Sequence, residues 1–289
     1  MNYSPLRYPG GKAKLAPYIK LIISNIENQI NTYIEPFAGG AGVALDLLLT
    51  RTVEKIVIND YDKAIYSFWR AVLTDTNGLV KLIEDTEVTV EEWYKQKDIY
   101  GNFNAKYSLE LAFATFFLNR TNRSGILNAG PIGGYGQDGN YFIDARYNKQ
   151  KSIEKILQIA KFKDNIKLYN KEARAFIKQI VSKYGANTFV YFDPPYFNKG
   201  HRLYKNHLSL RDHVEIADCI KKNVSTEWII TYDDVNEIKN IYAGDYFRTY
   251  EWAYSIVRNC IKPEIIIFKH KELCPEIKKL GQDAKIRLI

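Results

Sequence analysis

The residues best suited to chemistry are four that follow an apolar run at 188–192: Asp193, Pro194, Pro195 and Tyr196. Proline has no backbone N–H, its ring fixes φ, and a residue that precedes proline is held away from the helical region. The stretch therefore predicts a rigid rim at the end of a buried strand. That rim offers two hydrogen-bond acceptors, the Asp193 carboxylate and the Pro194 carbonyl.

Two fixed acceptors suit a planar amino group, because such a group presents two N–H donors. If both hydrogens are held, the nitrogen is drawn toward tetrahedral geometry and its lone pair is free to attack an electrophile. Tyr196 adds a flat face on which a base can stack, at about 1–3 kcal/mol per base. An adenine turned out of a duplex fits this chemistry. The plainer interpretation is a Pro-Pro turn that closes a strand.

A second candidate site is the glycine-rich stretch EPFAGGAG at 35–42, where small residues let a ligand approach the backbone at a helix N-terminus. Asp60 ends the next predicted strand, 21 residues after Gly39, and a carboxylate there can accept hydrogen bonds from two ribose hydroxyls. A dinucleotide fingerprint would need glycine where Leu45 stands. The pattern predicts a nucleoside-bearing ligand without an obligatory pyrophosphate, or else a plain tight turn beside an exposed acid.

A parallel α/β sheet is needed to bring these residues together. We predict strands at 32–37, 55–58, 166–169, 188–192 and 227–231, and helices at 43–49, 173–183 and 210–222. The segments 246–257 and 264–269 are expected to close the sheet as a hairpin. Because the carboxyl ends of parallel strands meet at one edge, the ligand is expected there.

The block 62–160 interrupts this strand–helix rhythm. Helices are predicted at 64–73 and 109–119, and the glycine-rich stretch 128–139 is expected to be loop. Residues 120–163 hold eight cations and three acids, so one side of the block could face DNA phosphates. We predict a discontinuous catalytic domain at 1–61 and 161–289, with an inserted, mostly helical domain at 62–160.

The composition indicates a basic protein of a reducing compartment. The 289 residues carry a net charge of +8, which is typical of proteins with a polyanionic partner such as nucleic acid. The three cysteines have no CxxC spacing and predict neither a disulfide framework nor a zinc site. No apolar run approaches membrane-spanning length. We expect a cytoplasmic protein that holds no metal ion and contacts no membrane.

The ordered set of motifs resembles the Dam-like DNA adenine-N6 methyltransferases. RYPGGK, EPFAGGAG, IND, FLNRTNRSGIL and DPPY occur in that family's order and span essentially the whole chain. The resemblance implies a Rossmann-like α/β fold with a mixed, mostly parallel sheet and an inserted target recognition domain. It also implies site-specific methyl transfer from S-adenosylmethionine (SAM) to adenine N6 in double-stranded DNA, with the base flipped out.

The resemblance also assigns residues. Those expected to hold SAM are Tyr8, Lys12, Phe37, Gly39, Asp60, Glu172 and Asp193. Within this set, the loop that includes Phe37 and Gly39 would lie against the methionine part, Asp60 would hold the ribose, and Glu172 would lie near the adenine amino group. The catalytic rim of Asp193, Pro194 and Pro195 would bind the target amine, with Tyr196 stacked on the base.

The residues expected to contact DNA are Arg120, Asn122, Arg123 and Asn128, near a DNA-reading hairpin, and Lys199 and Arg202, in a basic segment at 198–213. Ile126 or Leu127 could insert into the duplex as an apolar wedge. The stretch TNRSGILNAGPIGGYGQ lacks the Arg-Tyr-Asn pattern that follows the hairpin glycine in GATC-specific members. A recognition site other than GATC, for example an adenine-rich one, therefore stays open.

Several other functions also stay open. Cytosine-N4 methylation uses the same amine chemistry, although Asp at position 193 and the motif order favour adenine. RNA or protein-glutamine methylation would suit a related rim, yet the basic inserted block favours duplex DNA. A catalytically silent DNA-binding subunit is the alternative of a different class. A cognate restriction endonuclease is a candidate partner, and the chain is expected to act as a monomer or a weak dimer.

Overall fold

The fold is organised around one eight-stranded β-sheet. The computed structural model describes residues 2–8, 10–103, 107–197, 208–252, 263–275 and 286–288. The strands are β1 (Thr32–Glu35), β2 (Lys55–Asn59), β3 (Ile166–Tyr169), β4 (Thr188–Phe192), β5 (Glu227–Asp233), β6 (Tyr246–Trp252), β7 (Glu264–Phe268) and β8 (Ile286–Leu288). Their order across the sheet is β3-β2-β1-β4-β5-β7-β6-β8.

The sheet is mixed but mostly parallel. Strands β3, β2, β1, β4 and β5 run parallel, whereas β7 is antiparallel to both β5 and β6. The chain builds outward from β1 to β3 and then returns to add β4 on the other side of β1, which opens a crevice at their carboxyl ends. The predicted mostly parallel sheet and its closing hairpin are confirmed. Strand β8, antiparallel to β6, was not predicted.

The helices are α1 (Ala16–Ser24), α2 (Gly42–Leu49), α3 (Lys63–Thr74), α4 (Thr76–Asp85), α5 (Val90–Asn102), α6 (Leu109–Thr121), α7 (Lys149–Ala160), α8 (Ala173–Gln179), α9 (Leu210–Asn223) and α10 (Asn236–Ile241). Helices α2, α3, α6 and α9 confirm the predicted ones to within two residues. The predicted helix at 173–183 is broken at Ile180 and continues only as a 3-10 turn, Val181–Lys183. Within the described ranges, no helix has the length and apolarity to cross a membrane.

Two hydrophobic cores cover the two faces of the sheet, because successive side chains of a strand point to opposite sides. On β1, Tyr33 joins the first core and Ile34 the second; on β4, Phe189 joins the first and Val190 the second. A strand that is buried on both faces is apolar throughout rather than alternating with polar residues. This explains why the short apolar runs were recognisable as central strands.

The helices of the inserted block pack against the first of these cores. Phe68 of α3 and Phe116 of α6 are fully buried, with ring centroids 6.1 Å apart, and both belong to the same cluster as Tyr33 and Ile56 of the sheet. Helix α6 is buried along nearly its whole length, rather than along one apolar face. The block is therefore joined to the sheet through a shared core, and the domain boundaries at 62 and 160 stay a prediction.

Asn59, the last residue of β2, fastens the carboxyl edge of the sheet. Its amide nitrogen donates to the Pro36 carbonyl at 2.9 Å and to the Lys171 carbonyl at 3.1 Å, and its oxygen accepts from the Lys171 N–H at 2.9 Å. The side chain is fully buried. One amide thus holds the segments that follow β1 and β3 at fixed positions beside β2.

Asn59→Ala should destabilise the protein, because it removes the partners of one buried backbone group, the Pro36 carbonyl, and two part-buried ones on Lys171, at about 1–3 kcal/mol for a fully buried unsatisfied group. Partial relaxation and solvation reduce the sum, so we expect the free energy of unfolding to fall by about 2–4 kcal/mol, measured by urea unfolding. Asn187→Ala is the matched control, since it removes an exposed bond to the Gln29 carbonyl. Equal losses in the two variants would contradict the role given to Asn59.

Candidate active site

A cavity of about 560 Å³ lies at the carboxyl ends of the parallel strands. This volume is within the range of small-molecule sites. The predicted site residues that line the cavity come from the N-terminal segment and from the ends of four strands: Tyr8, Lys12, Phe37, Asp60, Glu172, Asp193 and Pro195. The fold thus brings together side chains that are up to 187 residues apart in the sequence.

The glycine loop after β1 needs glycine for both conformation and space. Gly39 has φ +46°, and a Cβ placed on it would lie 2.5 Å from the ring of Tyr8. Gly40 is similarly close to Tyr8, with 2.9 Å to its Cβ. The indole N–H of Trp69 donates to the Gly39 carbonyl at 2.8 Å. The loop is therefore held between the N-terminal segment and α3, and Tyr8 forms one wall of the cavity over it.

Asp60 is held in place by backbone donors. One carboxylate oxygen accepts from the Gly39 N–H at 2.8 Å and the other from the Asp62 N–H at 2.9 Å. Burial, reinforced by the nearby charge of Asp62, raises the pKa of Asp60 to about 7. Because a carboxylate has about four lone-pair sites, each oxygen can accept a further hydrogen bond from a ligand hydroxyl in the cavity.

Asp193 ends β4 with its carboxylate at the cavity. Its Oδ1 accepts from the Thr231 hydroxyl at 2.6 Å, and the Thr231 oxygen is 2.8 Å from the Tyr191 hydroxyl. Burial raises the pKa of Asp193 to about 6, against the opposing effects of Lys12 and Thr231. Asp193 is therefore mostly ionised at neutral pH and can accept N–H groups.

Glu35 is a cavity residue that the sequence reasoning did not single out. It ends β1, is buried, and accepts from the Tyr33 hydroxyl at 3.1 Å. Burial raises its pKa to about 8, and the neighbouring charge of Asp193 acts in the same direction. The signal was present in the sequence, since the acid directly precedes Pro36 at the end of an apolar strand, as Asp193 precedes Pro194.

Lys12 and Tyr196 form a buried polar cluster with Glu264 of β7. The Lys12 ammonium is 2.8 Å from Glu264, hydrogen-bonds the Tyr196 hydroxyl, and lies 4.5 Å from the centroid of the Tyr196 ring. Glu264 also accepts from the Tyr250 hydroxyl at 2.5 Å. Burial opposes ionisation of Glu264, but the ion pair with Lys12 and these hydrogen bonds outweigh it, so its pKa is lowered.

This cluster changes the expectation for Tyr196. The ring is only 8% exposed and lies against Lys12, so it does not present an open face at the cavity. Pro194 is buried and only Pro195 of the two prolines lines the cavity. A base can stack on Tyr196 only after the ring leaves Lys12, which sequence reasoning could not foresee because Glu264 is 68 residues further along the chain.

Glu172 marks the rim of the cavity on the α8 side. Its carboxylate caps α8 by accepting from the Ala175 N–H at 3.1 Å and pairs with Arg174 at 2.9 Å. Arg174 in turn pairs with Glu215 and lies 3.6 Å from Asp212 at the start of α9. The rim is thus a network of charges, and Glu172 is already engaged in holding a helix end.

The predicted DNA-contacting residues divide into a buried and an exposed group. Asn122 is fully buried: its oxygen accepts from the Trp93 indole at 2.6 Å, and its nitrogen donates to the Ile126 and Leu127 carbonyls. It therefore belongs to the framework of the loop rather than to a DNA-reading surface. Arg123 and Asn128 are exposed, and Arg120 is half-buried. Lys199 and Arg202 lie outside the described residues.

A mostly parallel sheet with a glycine loop and several acids around one cavity at the carboxyl ends of its strands is the architecture of a ligand-binding α/β enzyme. The chain belongs to the D12 class N6 adenine-specific DNA methyltransferase family, which it matches over residues 8–256. The resemblance stated from the motifs is thereby confirmed, together with the enzyme class.

Relatives with assigned names agree with this membership. The chain is 26% identical over 204 residues to Type II methyltransferase M.MjaIII of Methanocaldococcus jannaschii, covering 66% of this chain and 68% of that protein. It is 24% identical over 238 residues to Type II methyltransferase M1.LlaDCHI of Lactococcus lactis subsp. cremoris, covering 77% and 78%. It is 28% identical over 207 residues to Modification methylase StsI of Streptococcus sanguinis, covering 67% of this chain and 28% of that protein.

Among solved structures, the rRNA methyltransferase aviRa from Streptomyces viridochromogenes aligns with a TM-score of 0.43 and 10% identity, covering 90% of this chain and 86% of that one.

The buried ion pair between Lys12 and Glu264 gives a stability prediction. Glu264→Gln leaves a buried ammonium without its counter-charge, and breaking a buried pair typically costs about 3–5 kcal/mol. We expect a loss of that order in urea unfolding. Adding Lys12→Met removes the second charge as well, so the double variant should recover much of the loss. Additive losses would contradict a direct pairing of the two charges.

Proposed function

We propose that this chain transfers a methyl group from SAM to adenine N6 in duplex DNA within the cavity at the carboxyl edge of the sheet. The observation that carries the proposal is that Asp193, Pro195, the glycine loop and Asp60 all line this one cavity. A methyl donor and a target amine can therefore approach each other there without a large rearrangement of the sheet.

The chemistry of the cavity suits SAM. Asp60 offers acceptors to the ribose hydroxyls, and the aromatic rings of Tyr8 and Phe37 line the same cavity. Burial raises the pKa of Asp60 and Asp193 only to about 7 and 6, so both can be ionised at neutral pH and favour a cation, whereas Glu35, with its pKa raised to about 8, is mostly protonated. SAM brings a positive sulfonium and supplies its methyl group as the electrophile. Lys12 and Glu172 would complete the site from the two ends of the cavity.

Asp193 is the catalytic residue in this mechanism. Its carboxylate and the Pro194 carbonyl accept the two N–H groups of the adenine amine, while Thr231 fixes the carboxylate by donating to it. The nitrogen lone pair forms the new N–C bond as the C–S bond breaks, and one amine proton is then lost to solvent. No covalent enzyme intermediate is needed, and alignment of the reacting atoms lowers the barrier by several kcal/mol.

Delivery of the adenine requires the base to leave the duplex. Flipping costs a few kcal/mol of stacking and pairing, and Tyr196 would recover part of it by turning from Lys12 toward the base. The block 62–160 would act as the target recognition domain, with Arg123 and Asn128 on its exposed surface. Lys199 and Arg202 would contact the phosphate backbone of the DNA. In the same proposal, the chain acts in the cytoplasm as a monomer or weak dimer and has a cognate restriction endonuclease as its partner.

Asp193→Ala tests the assigned chemistry. Losing a preorganised group that acts on the reacting atoms typically costs about 10²–10³-fold in rate, so we expect methylation measured at saturating SAM to fall by at least that factor. Mass spectrometry of digested DNA measures N6-methyladenine and distinguishes it from N4-methylcytosine. The control is Asp85→Ala, an exposed acid at the end of α4. Near-normal turnover in the Asp193 variant would contradict the proposal.

The pKa of Asp193 predicts a pH dependence. The carboxyl must be ionised to accept both N–H groups, and its pKa is about 6, so kcat/KM for DNA at saturating SAM should rise about tenfold per pH unit below 6 and level off above it. Thr231→Val removes a hydrogen bond that lowers this pKa, so the rising limb should move to higher pH.

Thr249→Val is the matched control, because Thr249 bonds Asp234 instead, at 3.4 Å. If both threonine variants kept the wild-type limb, Asp193 would not be the group that titrates.

A further inference from the structure

A group of like charges lies beside the cavity, on the side of the inserted block. It consists of Arg7 in the N-terminal segment, Arg120 at the end of α6, Arg146 in the loop before α7 and Lys155 on α7, here called the cation cluster. Arg7, Arg120 and Lys155 are half-buried, and Arg146 is exposed at its edge. Of the four, Arg120 was predicted singly from the sequence as a DNA contact and Arg146 and Lys155 were included only in the basic stretch 120–163, whereas Arg7 was not assigned to DNA.

The four charges are close enough to act on one another. Burial lowers the pKa of Arg120 to about 10, and the charges of Arg7 and Arg146 add to this effect. Burial also lowers the pKa of Arg7, and the nearby charge of Arg146 is a smaller cause in the same direction. Burial likewise lowers the pKa of Lys155, and the charge of Arg120 adds to that effect. Three guanidinium groups and an ammonium therefore lie near one another at a cost in solvation and repulsion.

No acid in the described part of the chain forms an ion pair with any member of the cation cluster. The Arg7 guanidinium donates to the Asn122 carbonyl at 3.4 Å, and the Lys155 ammonium to the Ser4 carbonyl at 2.9 Å. The Arg120 Nε is buried and has no hydrogen-bond partner among the described residues. The cluster thus has donors and positive charge in excess of what the protein itself satisfies.

The cation cluster is joined to the cavity by one short segment. Ser4, Leu6 and Tyr8 line the cavity, and Arg7 lies between two of them. Asn119 fixes this segment from α6: its oxygen accepts from the Arg7 N–H at 2.7 Å and its nitrogen donates to the Arg7 carbonyl at 3.1 Å. A ligand on the cluster is therefore held in a fixed position relative to the cavity.

We propose that the cation cluster of Arg7, Arg120, Arg146 and Lys155 binds a backbone phosphate of the DNA strand that delivers the target base. This proposal rests on the proposed function, since it takes duplex DNA as the substrate. Phosphate supplies several acceptor oxygens and a negative charge, and guanidinium groups bind it with paired N–H donors. The role is sequence-independent: the cluster sets the position of the strand, while other residues read the bases.

The experiment measures DNA affinity against salt concentration for wild-type protein and for Arg120→Gln and Arg146→Gln. Each phosphate contact that is lost should reduce the slope of log K against log salt by about 0.9. Lys81→Gln is the control, an exposed cation on α4, and should leave the slope unchanged. Arg120→Gln should also leave the urea unfolding midpoint unchanged or raise it, because it removes repulsion between like charges.

A second measurement locates the phosphate. Once the methylated adenine has been mapped, duplexes with one neutral methylphosphonate at successive positions around it are compared. The wild-type protein should bind more weakly to the duplex whose neutral linkage replaces the contacted phosphate. Arg120→Gln, which already lacks that contact, should bind this duplex no more weakly than it binds unmodified DNA. An unchanged salt slope in both arginine variants would overturn the proposal. So would affinity losses from Arg120→Gln and from the neutral phosphate that add when the two changes are combined.

The two proposals can fail separately. If the arginine variants lose salt dependence but the wild-type protein forms no N6-methyladenine, the cation cluster stands and the catalytic proposal does not. If methylation is normal and the variants bind DNA like Lys81→Gln, only the cation cluster is refuted. A lowered unfolding midpoint with unaltered DNA binding would assign the cluster to structure alone, which also refutes it.

Discussion

The site depends on partial burial of carboxyl groups at one edge of a parallel sheet. Glu35, Asp60 and Asp193 end three neighbouring strands, so the strand order alone brings them to one cavity. Burial raises the pKa of each, to about 8, 7 and 6. Ligand donors and positive charge offset that unfavourable desolvation: SAM would bring hydroxyl donors and a positive charge, and the adenine amine would bring two N–H donors.

The parallel strands and the main site residues could be predicted from the sequence because they rest on local signals. Central strands are short apolar runs, and acids next to proline or glycine mark their carboxyl ends. Asp193 was found in this way, and Asp60 was found from its position at a strand end, 21 residues after Gly39. Glu35 carries the same signal, an acid before proline at a strand end, but the glycines that follow it gave the stronger ligand-binding pattern. Helices α4, α5 and α7 were missed because only two or three side chains of each are buried.

Long-range pairing could not be predicted from the sequence. Tyr196 looked exposed from its motif, yet Lys12 and Glu264 bury it through contacts that join the N-terminal segment to β7. Asn122 looked like a polar surface residue, yet the Trp93 indole and two carbonyls use its amide. In both cases the local sequence shows the polar side chain, whereas only the fold shows which hydrogen-bond or ion-pair partner it contacts.

The shared core of the inserted block and the sheet has a consequence for catalysis. Phe68 and Phe116 belong to the same buried cluster as the central strands, and Asn119 of α6 grips the segment that carries Tyr8 into the cavity. DNA bound to the block would therefore be positioned rigidly with respect to the cavity. Close packing makes such a connection stiff, since interiors tolerate little rearrangement.

The most direct test of the central claim is a crystal structure of the protein with duplex DNA and a non-reactive analogue of SAM. Our account predicts the analogue in the cavity beside Asp60, and the adenine N6 about 2.7–3.2 Å from an Asp193 carboxylate oxygen. A flipped base bound elsewhere, or an analogue outside this cavity, would contradict it.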